Sequence, residues 1–255
     1  PTGLPYLYVG LVFRERLEAL RQTLDPEGDD PAMQSMVIVA HSMGGLVTRT
    51  LVCDSRMEIW NTVFKVPPEA IRGEPEDVAW LEGMFIFSPA PFIDRVVFIA
   101  TPHRGAEAAG SFLGQVGSRM VELPDYFKER VERLAAQNRD VATDAMQGVI
   151  DRGAPNSIRA LRPSHPVMQA LGELPIDPEI QFHTIMGNRG HDVDEPVSDG
   201  WVDYESVHLE AAVSELIVPT GHAAYSHPGS IAEIKRILRL NLNEPSESGG
   251  QVASQ

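Results

Sequence analysis

The sequence has few of the features that mark disulfide-stabilised, membrane-spanning or nucleic-acid-binding chains. Its 255 residues include one cysteine, Cys53, so no intrachain disulfide can form. No apolar run approaches the roughly 18 to 20 residues of a transmembrane helix, and no basic segment followed by an apolar one opens the chain. The 21 Lys and Arg residues face 36 Asp and Glu, giving a net charge of −15. This balance disfavours a nucleic-acid partner, which would need a basic stripe, and unaided docking on anionic membranes.

What the chain does have is enough apolar sequence for one sizeable core. With 43% hydrophobic residues it falls in the range of a single α/β domain, which we expect over residues 1–242. A buried strand is predicted over Arg95–Ala100 and an amphipathic closing helix over Ile231–Leu238. Residues 243–255 lack any apolar period and are expected to be a disordered tail.

One serine lies at a sharp transition between two types of local sequence. The segment Met36-Val-Ile-Val-Ala-His-Ser42-Met-Gly-Gly-Leu-Val passes from a strand-like run to a helix-like run. This is the layout of a nucleophile elbow, although alanine replaces the first glycine of the usual G-x-S-x-G pattern. The backbone N–H of Met43 is then expected to point toward an oxyanion forming beside Ser42. An ordinary helix-capping serine is the alternative interpretation. The small residues that flank the turn, where larger side chains would collide, are Ala40, Gly44 and Gly45.

A serine hydrolase also needs an acid and a histidine downstream, and both follow predicted strands. The strand predicted over Ile180–Gly187 is followed by a turn that carries Asp199, and the strand over Ser214–Pro219 is followed directly by His222. The order serine, aspartate, histidine is that of α/β-hydrolases and differs from the orders in chymotrypsin-like and subtilisin-like proteases. We therefore predict a triad of Ser42, Asp199 and His222.

Other residues compete for two of these roles. His227 follows soon after His222, but His227-Pro228 is typical of the entry to a helix. Asp199 is favoured because Asp199-Gly200 lies at the turn where the acid is expected. The alternatives to this acid are Asp192, Asp194 and Asp203.

The acidic stretch His191-Asp-Val-Asp-Glu195 raises the question of a calcium site, because oxygen-rich loops can hold that ion. It lacks the glycine and the terminal glutamate at the spacing of an EF-hand loop, so a solvated loop is the preferred interpretation. We expect no metal and no organic cofactor, since a serine, a histidine and an aspartate suffice for acyl transfer.

With these motifs the chain resembles the lipase and esterase-like α/β-hydrolases, including hydrolases related to GPI-inositol deacylases. The resemblance rests on Val39–Gly45, Phe98–Gly105, Ser198–Gly200 and Ser214–His222, and it spans roughly residues 1–242. It implies an α/β-hydrolase fold with a mainly parallel sheet and helices on both faces. It also implies hydrolysis of a small-molecule or lipid ester through a Ser-His-Asp triad.

Three residues beside the elbow and the next strand are expected to shape the site or bind substrate. They are His41, Thr101 and His103. His41 precedes Ser42, and Thr101 and His103 belong to or follow the Thr101-Pro102 turn. Neither histidine is favoured as the general base.

The resemblance further implies helical cap insertions, at about 56–92 and 106–179. The first is rich in aromatic residues and proline, and the second contains broken helical patterns; packing on the sheet is the alternative to a lid. A helix predicted over Leu7–Leu24 precedes the elbow strand. The family has several strands and an oxyanion loop before that helix, so we expect N-terminal strands and the second oxyanion donor to be missing.

These observations predict a serine hydrolase for carboxylic esters with a lipid-like or otherwise apolar acyl group. An amidase, a thioesterase or an acyltransferase uses the same triad, and the fold does not choose among them. The rival from another class is a catalytically silent binding or scaffold protein with a hydrolase fold.

Overall fold

A parallel β-sheet forms the centre of the molecule. The computed structural model describes residues 4–106, 124–151, 159–190 and 197–243. Its strands are β1 (Met36–His41), β2 (Ile93–Ile99), β3 (Gln181–Gly187) and β4 (Ser214–Val218). They form a four-stranded sheet in the order β1-β2-β3-β4, and every neighbouring pair is parallel. The central strands β2 and β3 are almost entirely buried, as expected for a parallel sheet covered on both faces. The predicted parallel sheet is confirmed.

Helices cover both faces of this sheet. In the described residues they are α1 (Tyr6–Leu24), α2 (Pro31–Gln34), α3 (Met43–Val52), α4 (Glu58–Val63), α5 (Pro75–Phe85), α6 (Asp125–Asn138), α7 (Asp144–Ile150), α8 (Pro166–Glu173), α9 (Tyr204–Val207) and α10 (Pro228–Asn243). Alternate residues of β2 point to opposite faces. Val96 and Phe98 join the larger core with α1 and α3, whereas Val97 and Ile99 pack with Ile237 of α10. The predicted α/β architecture with two helical layers is therefore confirmed.

The two segments predicted as caps contribute to the larger core. Helices α4 and α5 lie in the first segment, and α6, α7 and α8 lie in the second. Residues 107–123 and 152–158 of the second segment lie outside the described part. Their apolar side chains pack in the same cluster as β2. They enclose a cavity of about 150 Å³ whose walls include Phe64, Trp80 and Phe127. A lid role for these segments stays a prediction.

Because the strands are parallel, their carboxyl ends meet at one edge of the sheet. The segments that leave this edge begin at Ser42, Ala100, Asn188 and Pro219, so functional residues far apart in sequence can gather there. The closing helix α10 reaches Asn243, and the predicted tail beyond it lies outside the described residues. None of the helices in the described ranges is long and apolar enough to cross a membrane.

Candidate active site

The elbow serine has an unusual backbone conformation. Ser42 lies at φ 54° and ψ −126°, which a non-glycine residue rarely adopts. Its N–H donates to the carbonyl of Ile99 at 2.8 Å, which ties the turn to β2. Helix α3 begins at the next residue, Met43, and the N–H of a first helical residue has no acceptor inside its own helix. A negative charge forming beside Ser42 would therefore lie at the positive end of α3.

The two glycines after the elbow differ in their surroundings. A Cβ at Gly45 would lie 2.0 Å from Oγ1 of Thr101, which is fully buried and could not move aside easily. A Cβ at Gly44 would meet no atom within 4 Å. The close approach of α3 to the segment after β2 therefore requires a glycine at position 45. The prediction that a larger side chain would also collide at Gly44 is wrong.

A histidine ring bridges the serine and an aspartate. Nε2 of His222 lies 2.7 Å from Oγ of Ser42, and Nδ1 lies 2.7 Å from Oδ2 of Asp199. An ionised carboxylate can only accept, so Nδ1–H donates to Asp199 and Nε2 is left to accept the serine hydroxyl proton. The chain thus brings together three side chains that lie on three separate segments after β1, β3 and β4.

The turn around Asp199 fixes its carboxylate from two sides. The side chain has no solvent exposure. Oδ1 accepts hydrogen bonds from the N–H groups of Trp201 and Val202, both at 2.8 Å, and this leaves Oδ2 to face the imidazole. Gly200 has φ 90°, a left-handed conformation that favours glycine and permits the tight turn. The carboxylate is thereby oriented before any substrate arrives.

Two neighbouring rings and one backbone contact hold His222. Its imidazole lies 4.7 Å from the Trp201 ring at an interplanar angle of 36°, and 4.9 Å from the His41 ring. His41 donates from Nε2 to the backbone carbonyl of His222 at 2.8 Å. Burial lowers the pKa of His41, so this ring is neutral at neutral pH. His41 therefore positions His222 through its backbone, and the rest of its ring packs on Tyr225 at 4.7 Å.

Thr101 and His103 lie behind the elbow and face the protein interior. Thr101 is 0% and His103 is 1% exposed to solvent. Nδ1 of His103 accepts from the guanidinium of Arg49 at 3.4 Å, and its ring packs edge-on against Phe98. Burial, and next the charges of Arg49 and Arg104, hold the pKa of His103 well below its usual value. These surroundings support a packing role, and their predicted contact with substrate stays a prediction.

The competing residues occupy other positions or lie outside the described ranges. Nδ1 of His227 accepts from the N–H of Gly229 at 3.1 Å in the first turn of α10, away from the serine contact made by His222. Asp203 is exposed and immediately precedes α9. The stretch 191–195, with Asp192 and Asp194, lies outside the described residues. Within the ranges that the structure covers, no group of three or more His, Cys, Asp or Glu side chains is placed to hold a metal.

An open cavity of about 390 Å³ lies beside the His222–Asp199 pair. The residues lining it are His41, Arg189, Asp199, Trp201, Gly221, His222, Ala223 and Tyr225. Sequence reasoning did not single out Ala223 or the three larger side chains Arg189, Trp201 and Tyr225. Trp201 and Tyr225 lie within three positions of Asp199 and His222, so proximity in the chain could have indicated them. No local pattern marks Arg189, which follows β3 and reaches the cavity only in the fold.

A parallel sheet with helices on both faces, a serine elbow after one strand, and an acid and a histidine after later strands make an α/β-hydrolase fold. No family model matches the chain, and no curated protein matches it in sequence. Solved structures with a similar chain path include the mature lipase BlEst2 of Bacillus licheniformis, at 13% identity and a TM-score of 0.47, covering 94% of this chain and 75% of that one.

Two further similar structures come from other organisms. The lipase of Staphylococcus hyicus is 13% identical with a TM-score of 0.40, covering 82% of this chain and 69% of that one. Human thioesterase 2 is 13% identical with a TM-score of 0.30, covering 92% and 84%. Similarity at this level does not identify a function, which has to be inferred from the geometry of the site itself.

Proposed function

We propose that this protein is a serine hydrolase that cleaves carboxylic esters through Ser42, His222 and Asp199. The observation that carries the proposal is the continuous hydrogen-bonded path from the Ser42 hydroxyl through the His222 ring to the buried Asp199 carboxylate, with 2.7 Å at each step. A histidine that only packs has no need of a strained serine at one nitrogen and an oriented carboxylate at the other.

In the first half of the reaction Ser42 Oγ attacks the ester carbonyl carbon. The hydroxyl proton passes to Nε2 of His222, because a neutral serine is a poor nucleophile at neutral pH. Asp199 keeps its charge and stabilises the imidazolium that forms. The protonated Nε2 then gives this proton to the departing alkoxide as the tetrahedral intermediate collapses. An alcohol leaves, and an acyl-serine remains.

The negative charge of the tetrahedral oxygen needs donors already in place. The described residues offer the N–H of Met43, at the first position of α3, as one such donor. The same helix end contributes a favourable dipole.

In the second half, water replaces the serine as the nucleophile. His222 Nε2 takes a proton from the water, the hydroxide attacks the acyl carbon, and the proton returns to Ser42 Oγ as the carboxylic acid leaves. No step uses a group from outside the chain apart from substrate and water.

An activity-based test separates this function from a silent hydrolase fold. A fluorophosphonate reacts only with an activated serine, so the wild-type protein should be labelled and Ser42→Ala should not. Ser88→Ala removes an exposed hydroxyl far along the chain from the elbow and serves as the matched control. Hydrolysis of short p-nitrophenyl esters should fall by roughly three orders of magnitude or more in Ser42→Ala and stay unchanged in Ser88→Ala. Equal labelling of folded wild-type and Ser42→Ala protein would refute the assignment.

The same triad could serve an amidase, a thioesterase or an acyltransferase. Hydrolysis rates for an oxygen ester, a thioester and an amide of the same acyl group distinguish an esterase from a thioesterase and an amidase. We expect the highest kcat/KM for the oxygen ester. Adding a second alcohol to the assay tests transfer: a transferase would form the new ester in place of the free acid.

A further inference from the structure

The cavity beside the His222–Asp199 pair contains a positively charged side chain that the proposed mechanism does not use. Arg189 lines this cavity together with His222, and the aromatic rings of Trp201 and Tyr225 form part of its walls. The side chain of an arginine remains charged at any pH at which the enzyme could work.

The backbone and stem of Arg189 are fitted to the turn that carries the acid. Its N–H donates to the carbonyl of Ser198 at 2.8 Å, one residue before Asp199. Its side chain then crosses two glycines. A Cβ at Gly200 would lie 2.7 Å from Cδ of Arg189, and a Cβ at Gly221 would lie 3.3 Å from the same atom. The arginine stem therefore occupies space that those two positions leave open.

The guanidinium has no carboxylate partner among the residues that the structure describes. Asp199 is the acid that lines the cavity. Its carboxylate already accepts hydrogen bonds from His222 and from the two backbone N–H groups of its turn. Elsewhere in the chain, guanidinium groups with a structural role pair with a carboxylate. Arg130 and Arg133, for example, both form ion pairs with the buried side chain of Asp77. Arg189, which lines the cavity, has no such pairing with a carboxylate of the described residues.

The reaction chemistry decides which part of a substrate would meet this charge. His222 must deliver a proton to the leaving oxygen, so the alcohol part of an ester has to lie on the His222 side of Ser42. The cavity that contains Arg189 is lined by His222 itself. A guanidinium presents a fork of N–H donors that matches carboxylate and phosphate oxygens.

We propose that Arg189 is a specificity-determining residue that binds an anionic group, a carboxylate or a phosphate, on the alcohol part of the ester. The substrate role rests on the proposed hydrolase function, whereas the binding of the anion does not. The aromatic walls of Trp201 and Tyr225 would contact the remainder of the alcohol part.

Matched esters test this preference. With one acetyl group throughout, 4-acetoxybenzoate is compared with its neutral methyl ester, and 1-acetylglycerol 3-phosphate with 1-acetylglycerol. Arg189→Gln should lower the ratio of kcat/KM for anionic over neutral ester about tenfold, and the wild-type ratio should decrease with added salt. Arg189→Lys, which keeps the charge but not the fork, should give an intermediate ratio. The pair with the larger change identifies carboxylate or phosphate as the preferred anion.

Arg239→Gln is the matched control. Arg239 is exposed on α10 near the end of the helix that approaches Ser35, and the change removes the same charge from the chain. It should leave the ratio as in the wild type. An equal fall in both variants would indicate a general effect of net charge and would overturn the proposal, as would an unchanged ratio in Arg189→Gln.

A binding experiment without turnover separates this inference from the hydrolase proposal. Ser42→Ala protein is titrated with 4-hydroxybenzoate, glycerol 3-phosphate and the uncharged methyl 4-hydroxybenzoate, and ligand-observed NMR reports binding. Binding of either anion that weakens about tenfold on adding Arg189→Gln supports the site even if no ester is hydrolysed. Hydrolysis with anion binding that does not depend on Arg189 supports the enzyme and refutes the site.

Discussion

Two histidines at opposite ends of the sheet show how surroundings decide what an imidazole can do. His222 follows β4 at the carboxyl edge, and His183 lies near the start of β3. Both rings have each nitrogen within hydrogen-bond distance of a partner. Those of His222 face a serine hydroxyl and the Asp199 carboxylate, whereas Nε2 of His183 accepts from the Arg95 guanidinium at 3.0 Å.

The remaining nitrogen of His183 completes a structural chain of hydrogen bonds. Nδ1 donates to Oγ of Ser214 at 2.8 Å, and that hydroxyl donates to Oε1 of Glu233 at 3.0 Å. Burial, and next the charge of Arg95, lower the pKa of His183 to about 4. The His183 ring beside a guanidinium is held neutral and its Nε2 is already occupied, whereas Nε2 of His222 faces the serine hydroxyl. Only the second ring can accept a proton from serine during a reaction.

The largest expected effect comes from removing the carboxylate that distinguishes the two rings. In Asp199→Asn the amide can donate to Nδ1, which favours the tautomer that carries its proton on Nε2 and cannot accept from Ser42. We expect kcat/KM for a p-nitrophenyl ester to fall by about 10³- to 10⁴-fold, as for the triad aspartate of serine proteases.

Glu233→Gln makes the same chemical change in the network of the other histidine. Its kcat/KM should match the wild type, because Glu233 lies on α10 and reaches His183 only through Ser214. Circular dichroism should show a native spectrum for both variants. Comparable activity in folded Asp199→Asn would show that His222 does not depend on this carboxylate.

A smaller effect is expected from the packing that the catalytic end requires. Gly45→Ala places a methyl group against buried Thr101, so the free energy of unfolding should fall by about 1 to 3 kcal/mol, with a loss of activity as α3 shifts at Ser42. Gly44→Ala meets open space and should change stability by less than about 1 kcal/mol. Urea unfolding and ester hydrolysis of the two variants provide the measurement. The double variant Gly45→Ala/Thr101→Ala should recover part of the lost stability, and purely additive effects would argue against the contact.

The smallest effect concerns the structural histidine. Because the pKa of His183 is about 4 in the folded chain and 6.5 is the usual value, the unfolded chain binds a proton between these pH values that the folded chain does not. The free energy of unfolding should therefore decrease as pH falls from about 6.5 toward 4. In His183→Gln this decrease should be shallower, with each variant referred to its own stability at pH 8. His103, whose pKa is also lowered, accounts for part of the remaining slope. A slope identical to that of the wild type would exclude a contribution from His183.

Much of the fold could be predicted from local patterns because it follows from local chemistry. The strand predicted over Ile180–Gly187 is β3 with a difference of one residue, and the helix predicted over Leu7–Leu24 is α1. The closing helix is longer than its apolar pattern indicated, since α10 begins at Pro228 and reaches Asn243. The spacing of apolar residues, and the residues that begin or end a segment, decide where these helices and strands form. Both signals involve only residues that are close together in the sequence.

By itself the sequence determined the order of strands and helices, the position of the elbow serine and the candidate acid and base that follow later strands. Only the tertiary structure decided which side chains meet. The ring of His222 reaches a serine 180 positions earlier, and His183 meets Arg95 across 88 positions. The glycines that accommodate Arg189 also belong to two different turns. The physical reason is that a pattern of apolar residues fixes which face of an element is buried, whereas the partner of a polar side chain depends on the register and distance between elements remote in the chain.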